Sequence, residues 1–209
     1  MDRSVLEFQV ENAVRLSASL LRDSDFLETE MNLADLVYFD LETGGLDPIH
    51  NPIIQIAAYS PKLDESFEVK LQFSEANATA EALGINSYDK EMWKKEAVPS
   101  NDAIQLFDTF LRKHSPGKRA ILAAWNGAKF DGPFLHMFVG RERLRNFHAD
   151  YKVYDPMQLA MWVLPELESH RLTAVAKAMK IDIEGAHDAM TDVRMMFQVT
   201  QRLLDFLGM

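Results

Sequence analysis

Cysteine is absent from the 209 residues. Disulfides and thiolate-bound zinc are therefore excluded, and any metal would have to sit on carboxylates and histidines. The absence also accords with a reducing compartment. Long apolar runs are missing too: no stretch approaches the ~20 residues that a membrane span needs. The opening MDRSVLEFQV lacks the basic-then-apolar order of a secretory signal. A cytoplasmic chain with no membrane partner is the expectation. Basic residues are in deficit, 22 Lys and Arg against 32 Asp and Glu, for a formal net charge of -10. That excludes a broad basic face coating duplex nucleic acid, because such binding is driven by counterion release to Lys and Arg. It leaves room for a metal-assisted enzyme working on the end of one strand. The cations that exist cluster at Lys94 and Lys95, at Lys118 and Arg119, and at Arg141, Arg143 and Arg145, and each cluster alone reads as solvated surface. Internal repeats and low-complexity tracts are lacking as well.

What is present is an ordinary globular composition, 47% hydrophobic and 26% charged, enough for one domain with an extension. Residues 4–26 carry Val5, Phe8, Ala13, Leu16, Leu20 and Leu21 at roughly helical spacing. They predict an N-terminal amphipathic helix that packs on the main domain or, alternatively, meets a partner or a second copy. The division expected is an extension over 1–34 and a main domain over 35–209. Strand-like runs follow at 36–42, 53–60 and 66–73, separated by the turn sequences GGLDP and PKLDE, which predicts an antiparallel meander. Residues 78–96 read as irregular with short helical pieces. A helix over 102–113, capped by Ser100 or Asn101, leads to a strand over 120–125. Helices are expected at 130–143, 156–164, 171–180 and 188–207. That order predicts a mixed sheet covered by helices.

Three acidic clusters stand out. In VYFDLETGGLDP, alternation places Asp40 and Glu42 on one face of a strand, one pleat apart. Two carboxylates held on a half-buried sheet repel each other and lose hydration unless a cation or a shared proton compensates, and oxygen-only ligands suit Mg²⁺ or Mn²⁺. The same residues also fit a sheet edge with two wet acids. Gly44 and Gly45 fit a tight reversal or a ligand close to the backbone. In AWNGAKFDGPFL, Asp131 falls in the first turn of a helix, where a carboxylate suits the dipole; it follows a strand expected beside the first, so it could close on the same site. In AHDAMTDVRMMF, His187 and Asp192 are rotated about 140° apart if both are mid-helix. They converge only if His187 precedes the helix after Gly185 and Asp192 lies in its first turns; a histidine there also fits a simple cap or surface group.

As an ordered set, FDLET, NGAKFD and H-x4-D resemble the three motifs of the DEDDh 3′ to 5′ exonucleases, over residues 36–204. The resemblance implies an α/β, ribonuclease H-like fold with a five-stranded mixed sheet flanked by helices, here with the N-terminal extension. It implies two Mg²⁺ or Mn²⁺ ions held by Asp40, Glu42, Asp131 and Asp192, with His187 as general base. It also implies substrate contacts from Thr43 near the 3′-hydroxyl, Leu46 as an apolar wedge against the terminal bases, and Asn126 positioning the strand or supporting the second motif. Asp155 would be a structural acid. The segment LGINSYDKEM lacks the histidine common in relatives and is given no role. The implied substrate is the 3′ end of single-stranded DNA, with RNA as the alternative, as in ribonuclease T and oligoribonuclease. A polymerase partner or a homo-oligomer through the N-terminal helix is the implied assembly. Asn126 precedes Asp131 by five residues, a spacing more like the animal three-prime repair exonucleases than the proofreading subunits.

Overall fold

In the computed structural model, residues 32–140, 146–185 and 188–208 are described. The helix expected over 4–26, the cations Arg141, Arg143 and Arg145, and His187 lie outside the described residues. The chain forms β1 (Leu36–Thr43), β2 (Ile53–Ser60) and β3 (Glu65–Lys70), then helices α1 (Ala80–Ile85), α2 (Lys90–Glu96) and α3 (Ser100–His114). Next come β4 (Ala120–Ala123), α4 (Asp131–Val139), β5 (Ala149–Tyr154), α5 (Pro156–Val163), α6 (Leu172–Ala178) and α7 (Ala189–Leu207). The five strands lie in the order β3-β2-β1-β4-β5. The first three pair antiparallel, while β1–β4 and β4–β5 are parallel. The mixed sheet and the meander are as expected.

β1 is central, and its alternation separates two cores. Val37, Phe39 and Leu41 point to a layer built from Phe107 and Leu111 of α3 and Phe134 and Leu135 of α4. Leu36 and Tyr38 point the other way, to Ala189, Val193 and Met196 of α7. Helices α3 and α7 bury residues at three- and four-residue steps, Ala103, Phe107 and Leu111 in one and Ala189, Val193 and Met196 in the other. Under the first layer His114 is fully buried. Its Nε2 lies 3.0 Å from the Asp35 carbonyl, which can only accept, so Nε2 carries the proton and Nδ1 takes the Ser60 hydroxyl at 2.7 Å.

Several boundaries differ from expectation. No residues were given to the fifth strand; ADYKVY forms it, a six-residue edge strand whose alternation is too brief to stand out. The cap of α3 is neither Ser100 nor Asn101: the helix already begins at Ser100, with Pro99 at the cap position and no side-chain cap bond. β3 ends at Lys70, and Leu71 instead bridges to Val98. β4 stops at Ala123, two residues early, because the chain turns at 124–127. α4 ends at Val139, where Gly140 turns away at φ 75°.

Candidate active site

The site begins with a mismatch of strand lengths. β4 accompanies β1 only as far as the pair Tyr38 and Ala123, whereas β1 runs on to Thr43. On that side the Leu41 N–H would lack a strand partner, and the Asp131 carboxylate takes its place, accepting from it at 3.2 Å. Asp131, first residue of α4, is 2% exposed. The loop that delivers it is wound tightly. Asn126 sits in the left-handed region at φ 57°, and its carbonyl accepts from the N–H groups of Lys129 and Phe130. Gly132 donates to the Gly127 carbonyl at 2.8 Å, and a Cβ at Gly132 would lie 2.9 Å from that oxygen, so only glycine fits. Asp155 caps α5 through Met157 and accepts from Asn126 N–H at 2.9 Å, tying the end of β5 to this loop. It is a structural acid, in keeping with expectation.

Asp40 and Glu42 project to the α7 side of the sheet, where α7 begins. Asp188 caps that helix, accepting from Thr191 N–H at 3.0 Å, and Asp192 lies in its first turn. Two acids at a helix N-terminus suit its dipole, but they also face the two acids of β1. Burial raises the Asp40 pKa well above the usual carboxylate range, and Asp131, Glu42, Asp192 and Asp188 raise it further. Burial, then Asp192 and Asp188, push Glu42 up to about 7. Asp131 is also pushed to about 7, by burial and by Glu42 and Asp155, against the opposing pull of its backbone hydrogen bonds, including that from Leu41. The acids of all three sequence clusters thus share one electrostatic site. Asp188 was not singled out from sequence; an aspartate immediately before an apolar-periodic helix is the capping pattern that marks it.

The turn after β1 walls a cleft of about 560 Å³ beside Glu42. Thr43 and Leu46 line it, as do Ile85, Asn86 and Phe130. Leu46 is 85% exposed, while the Thr43 hydroxyl donates to the Gly45 carbonyl at 2.7 Å and is held in the turn. Ile85, in the segment given no role, is an exposed apolar side chain facing the same space. Asn126 does not line this cleft; its backbone bonds to Lys129 and Phe130 within the loop and to Asp155 at the end of β5. Gly44 and Gly45 serve chain packing: a Cβ at Gly44 would meet Pro52 and Ala78 at 2.8 Å, and at Gly45 it would overlap the Asn51 side chain.

Residues 37–200 match the exonuclease family model RNase_T. The chain belongs to the exonuclease family. With its five-stranded mixed sheet it is a DEDD-type domain of the ribonuclease H-like superfamily. This exonuclease is 31% identical over 184 residues to the DNA polymerase III PolC-type of Oceanobacillus iheyensis, covering 85% of this chain and 12% of that one. It is 32% identical over 165 residues to the corresponding protein of Latilactobacillus sakei, covering 76% and 10%. Among solved structures it is similar to E. coli exonuclease I in complex with a dT13 oligonucleotide, at 17% identity and a TM-score of 0.64, over 82% of this chain and 42% of that one. A moderately thermophilic exonuclease I from Methylocaldum szegediense gives 22% identity and a TM-score of 0.64, over 81% and 40%. The structural likenesses bear on the fold alone. The exonuclease spans about an eighth of the length of the polymerases and under half that of exonuclease I. These polymerase relatives contrast with the repair-exonuclease flavour of the Asn126 to Asp131 spacing. Among the described residues, no helix is long and apolar enough to cross a membrane.

Proposed function

We propose that this exonuclease removes nucleoside 5′-monophosphates from the 3′ end of single-stranded DNA, using divalent cations held by Asp40, Glu42, Asp131 and Asp192. The observation that carries the proposal is the meeting of these carboxylates beside an apolar cleft, where burial and mutual repulsion raise Asp40, Glu42 and Asp131 above the usual carboxylate range. Among the described residues no group of three such side chains stands ready to hold a metal ion in this arrangement. The donor chemistry nevertheless fits: buried, mutually repelling oxygen donors without thiolates call for a hard cation such as Mg²⁺ or Mn²⁺. Two bound ions supply positive charge at both the attacking and the leaving oxygen of an in-line phosphoryl displacement.

The chain's own groups do the rest. His187 accepts the proton of the attacking water, a task suited to an imidazole with an ordinary pKa near ~6.5. The water oxygen bonds to phosphorus as the bond to the 3′-oxygen of the preceding nucleotide breaks, and that oxygen takes a proton from solvent to leave as a 3′-hydroxyl. In this reading Thr43 meets the terminal 3′-hydroxyl and Leu46 and Ile85 flank the terminal base, a role supported by their lining one cleft, while Asn126 shapes the loop that carries Asp131. DNA is favoured over RNA because the relatives are DNA polymerases and exonuclease I was solved with dT13 and dA16 oligonucleotides. The polymerase relatives likewise support a polymerase as partner.

The test uses 5′-labelled single-stranded DNA, RNA and duplex with a 3′ overhang, in Mg²⁺, Mn²⁺ or chelator. A ladder shortening from the 3′ end, abolished by chelator and by Asp40→Ala, is expected with DNA. Activity that survives chelator, or both Asp40→Ala and Asp192→Ala, defeats the proposal; faster loss of RNA shifts the substrate to RNA.

A further inference from the structure

Helix α7 brings acids against a strand whose own acids repel them. Asp188 and Asp192 both push up Glu42, and both push up Asp40. Before a cation arrives, that repulsion works to turn or lift the first turns of α7 away from β1. The sheet-facing stripe of Ala189, Val193 and Met196 resists by burial. Apolar contact is non-directional, so it opposes separation of the helix from the sheet more than rotation about the helix axis. Rotation is what matters for Asp192. Residues two apart on a helix are turned about 200° from one another, so Arg194 and Asp192 leave α7 on opposite flanks.

On the flank away from Asp192, directional contacts fasten α7 to the β2–β3 hairpin. Arg194 lies over the Tyr59 ring, its guanidinium carbon 4.7 Å from the centroid, and a terminal nitrogen donates to the Ser66 hydroxyl at 2.8 Å. The ring is itself fixed. Tyr59 is buried, and its hydroxyl donates to Asp64 at 2.9 Å. Phe197, one turn on from Arg194, meets Tyr59 edge-on at 5.4 Å and Tyr38 in the same manner at 5.3 Å. Tyr38 and Tyr59 are partners in the β1–β2 register, and Tyr38 stands two residues before Asp40 on the same face. The clamp on one flank of α7 is thus built on the strand that carries the opposing acids. We propose that Arg194 is a positioning residue: with Tyr59 and Ser66 it sets the rotation of α7 and so holds Asp192 toward Asp40 and Glu42 before any cation binds. The inference rests on the cation site of the proposed function. A purely Coulombic Arg194 would act in the opposite sense, because removing a positive charge from the same helix would tighten a cation.

Mn²⁺ binding to the full chain, followed by the paramagnetic resonance signal of the free ion, tests this without turnover. Arg194→Ala is expected to weaken Mn²⁺ about fivefold, equivalent to about 1 kcal/mol and in keeping with the loss of an exposed cation–π contact. Ser66→Ala leaves every charge in place and should weaken Mn²⁺ about twofold in the same direction, through one lost hydrogen bond. Arg194→Lys keeps a cation over the ring and should recover most of the loss. In saturating Mn²⁺ the variants should hydrolyse single-stranded DNA with kcat and KM close to those of the wild type. Arg112→Ala is the control for general destabilisation. It breaks the bonds of α3 to Asp108 and to the Asn146 carbonyl on the opposite face of the sheet, and should lower the melting temperature without moving Mn²⁺ affinity. Unchanged or tighter Mn²⁺ in Arg194→Ala, or an equal loss in Arg112→Ala, overturns the positioning role and leaves the exonuclease proposal standing. If Arg194→Ala does not fold, Ser66→Ala, a change at an exposed side chain, decides by the same criterion. Mn²⁺ binding by the wild type without hydrolysis overturns the exonuclease reaction alone, and the fivefold loss then still supports the positioning role; no Mn²⁺ binding at all overturns both.

Discussion

If the acids of this exonuclease hold a cation as proposed, removing it should invert the protein's response to pH. Glu42 rises from an ordinary 4.5 to about 7 in the folded chain, chiefly through burial and then through Asp192 and Asp188. The folded state therefore holds this proton more tightly than the unfolded chain does. Its stabilising contribution is whole below about 4.5 and is lost as pH rises through about 7. At about 1.4 kcal/mol per pK unit, and allowing for water at its exposed edge, Glu42 accounts for about 2 to 3 kcal/mol. In a domain of this size that corresponds to roughly 4–12 °C of melting temperature. Thermal melts in EDTA between pH 5 and 8 are the assay, comparing wild type with Glu42→Gln. Buried neutral His114, whose pKa is lowered by burial, contributes a slope of opposite sign that is lost as pH falls, and the comparison of the two proteins cancels it. The wild type should lose stability toward pH 8 more steeply than the variant by that margin. Mg²⁺ at a hundredfold excess over its dissociation constant should restore about 2.7 kcal/mol at pH 8 and far less at pH 5, where protons occupy the carboxylates. Parallel slopes for the two proteins, or equal Mg²⁺ stabilisation at both pH values, would refute the reasoning.

Asp131→Asn keeps an oxygen for the Leu41 N–H and should fold as stably as the wild type in chelator while losing hydrolysis. Asp131→Leu strands that buried N–H and should cost about 1–3 kcal/mol in urea unfolding. His187→Ala should lower kcat by about 10²–10⁴ and remove the acid limb of the pH–rate profile, with KM little changed; full activity near neutral pH would remove the general-base role. Asn126→Gly should retain stability, whereas Asn126→Val forces a branched side chain to φ 57° and should cost about 1–2 kcal/mol by equilibrium unfolding.

Much of the scaffold was legible because the relevant patterns are strong. Alternation in β1 fixed the common face of Asp40 and Glu42, and the apolar stripe of α7 placed Asp192 in a first turn. What stayed hidden depended on distances between segments far apart in sequence. Nothing in NGAKFD alone says that β4 stops at Ala123 and leaves Leu41 to be satisfied 90 residues away by Asp131. ADYKVY escaped notice because a short edge strand needs little alternation. Ile85 gained meaning only when the end of α1 was seen to face Leu46 across the cleft, and Asp188 only when α7 was brought against β1. Glycines 44 and 45 fitted a turn or a ligand equally well in sequence; their neighbours Pro52, Ala78 and Asn51 account for them by packing.

The overhang of β1 past β4 gives one acid two employers. In the proposed reaction Asp40 and Glu42 answer to chemistry, but Asp131 also answers to the backbone, since its carboxylate finishes a strand edge that β4 does not reach. A descendant of this chain released from hydrolysis would therefore not decay evenly. Positions 40 and 42 would drift toward apolar residues, relieving a crowded charge. Position 131 would remain Asp or become Asn, an oxygen kept for its place in the sheet after the reaction it once served had gone.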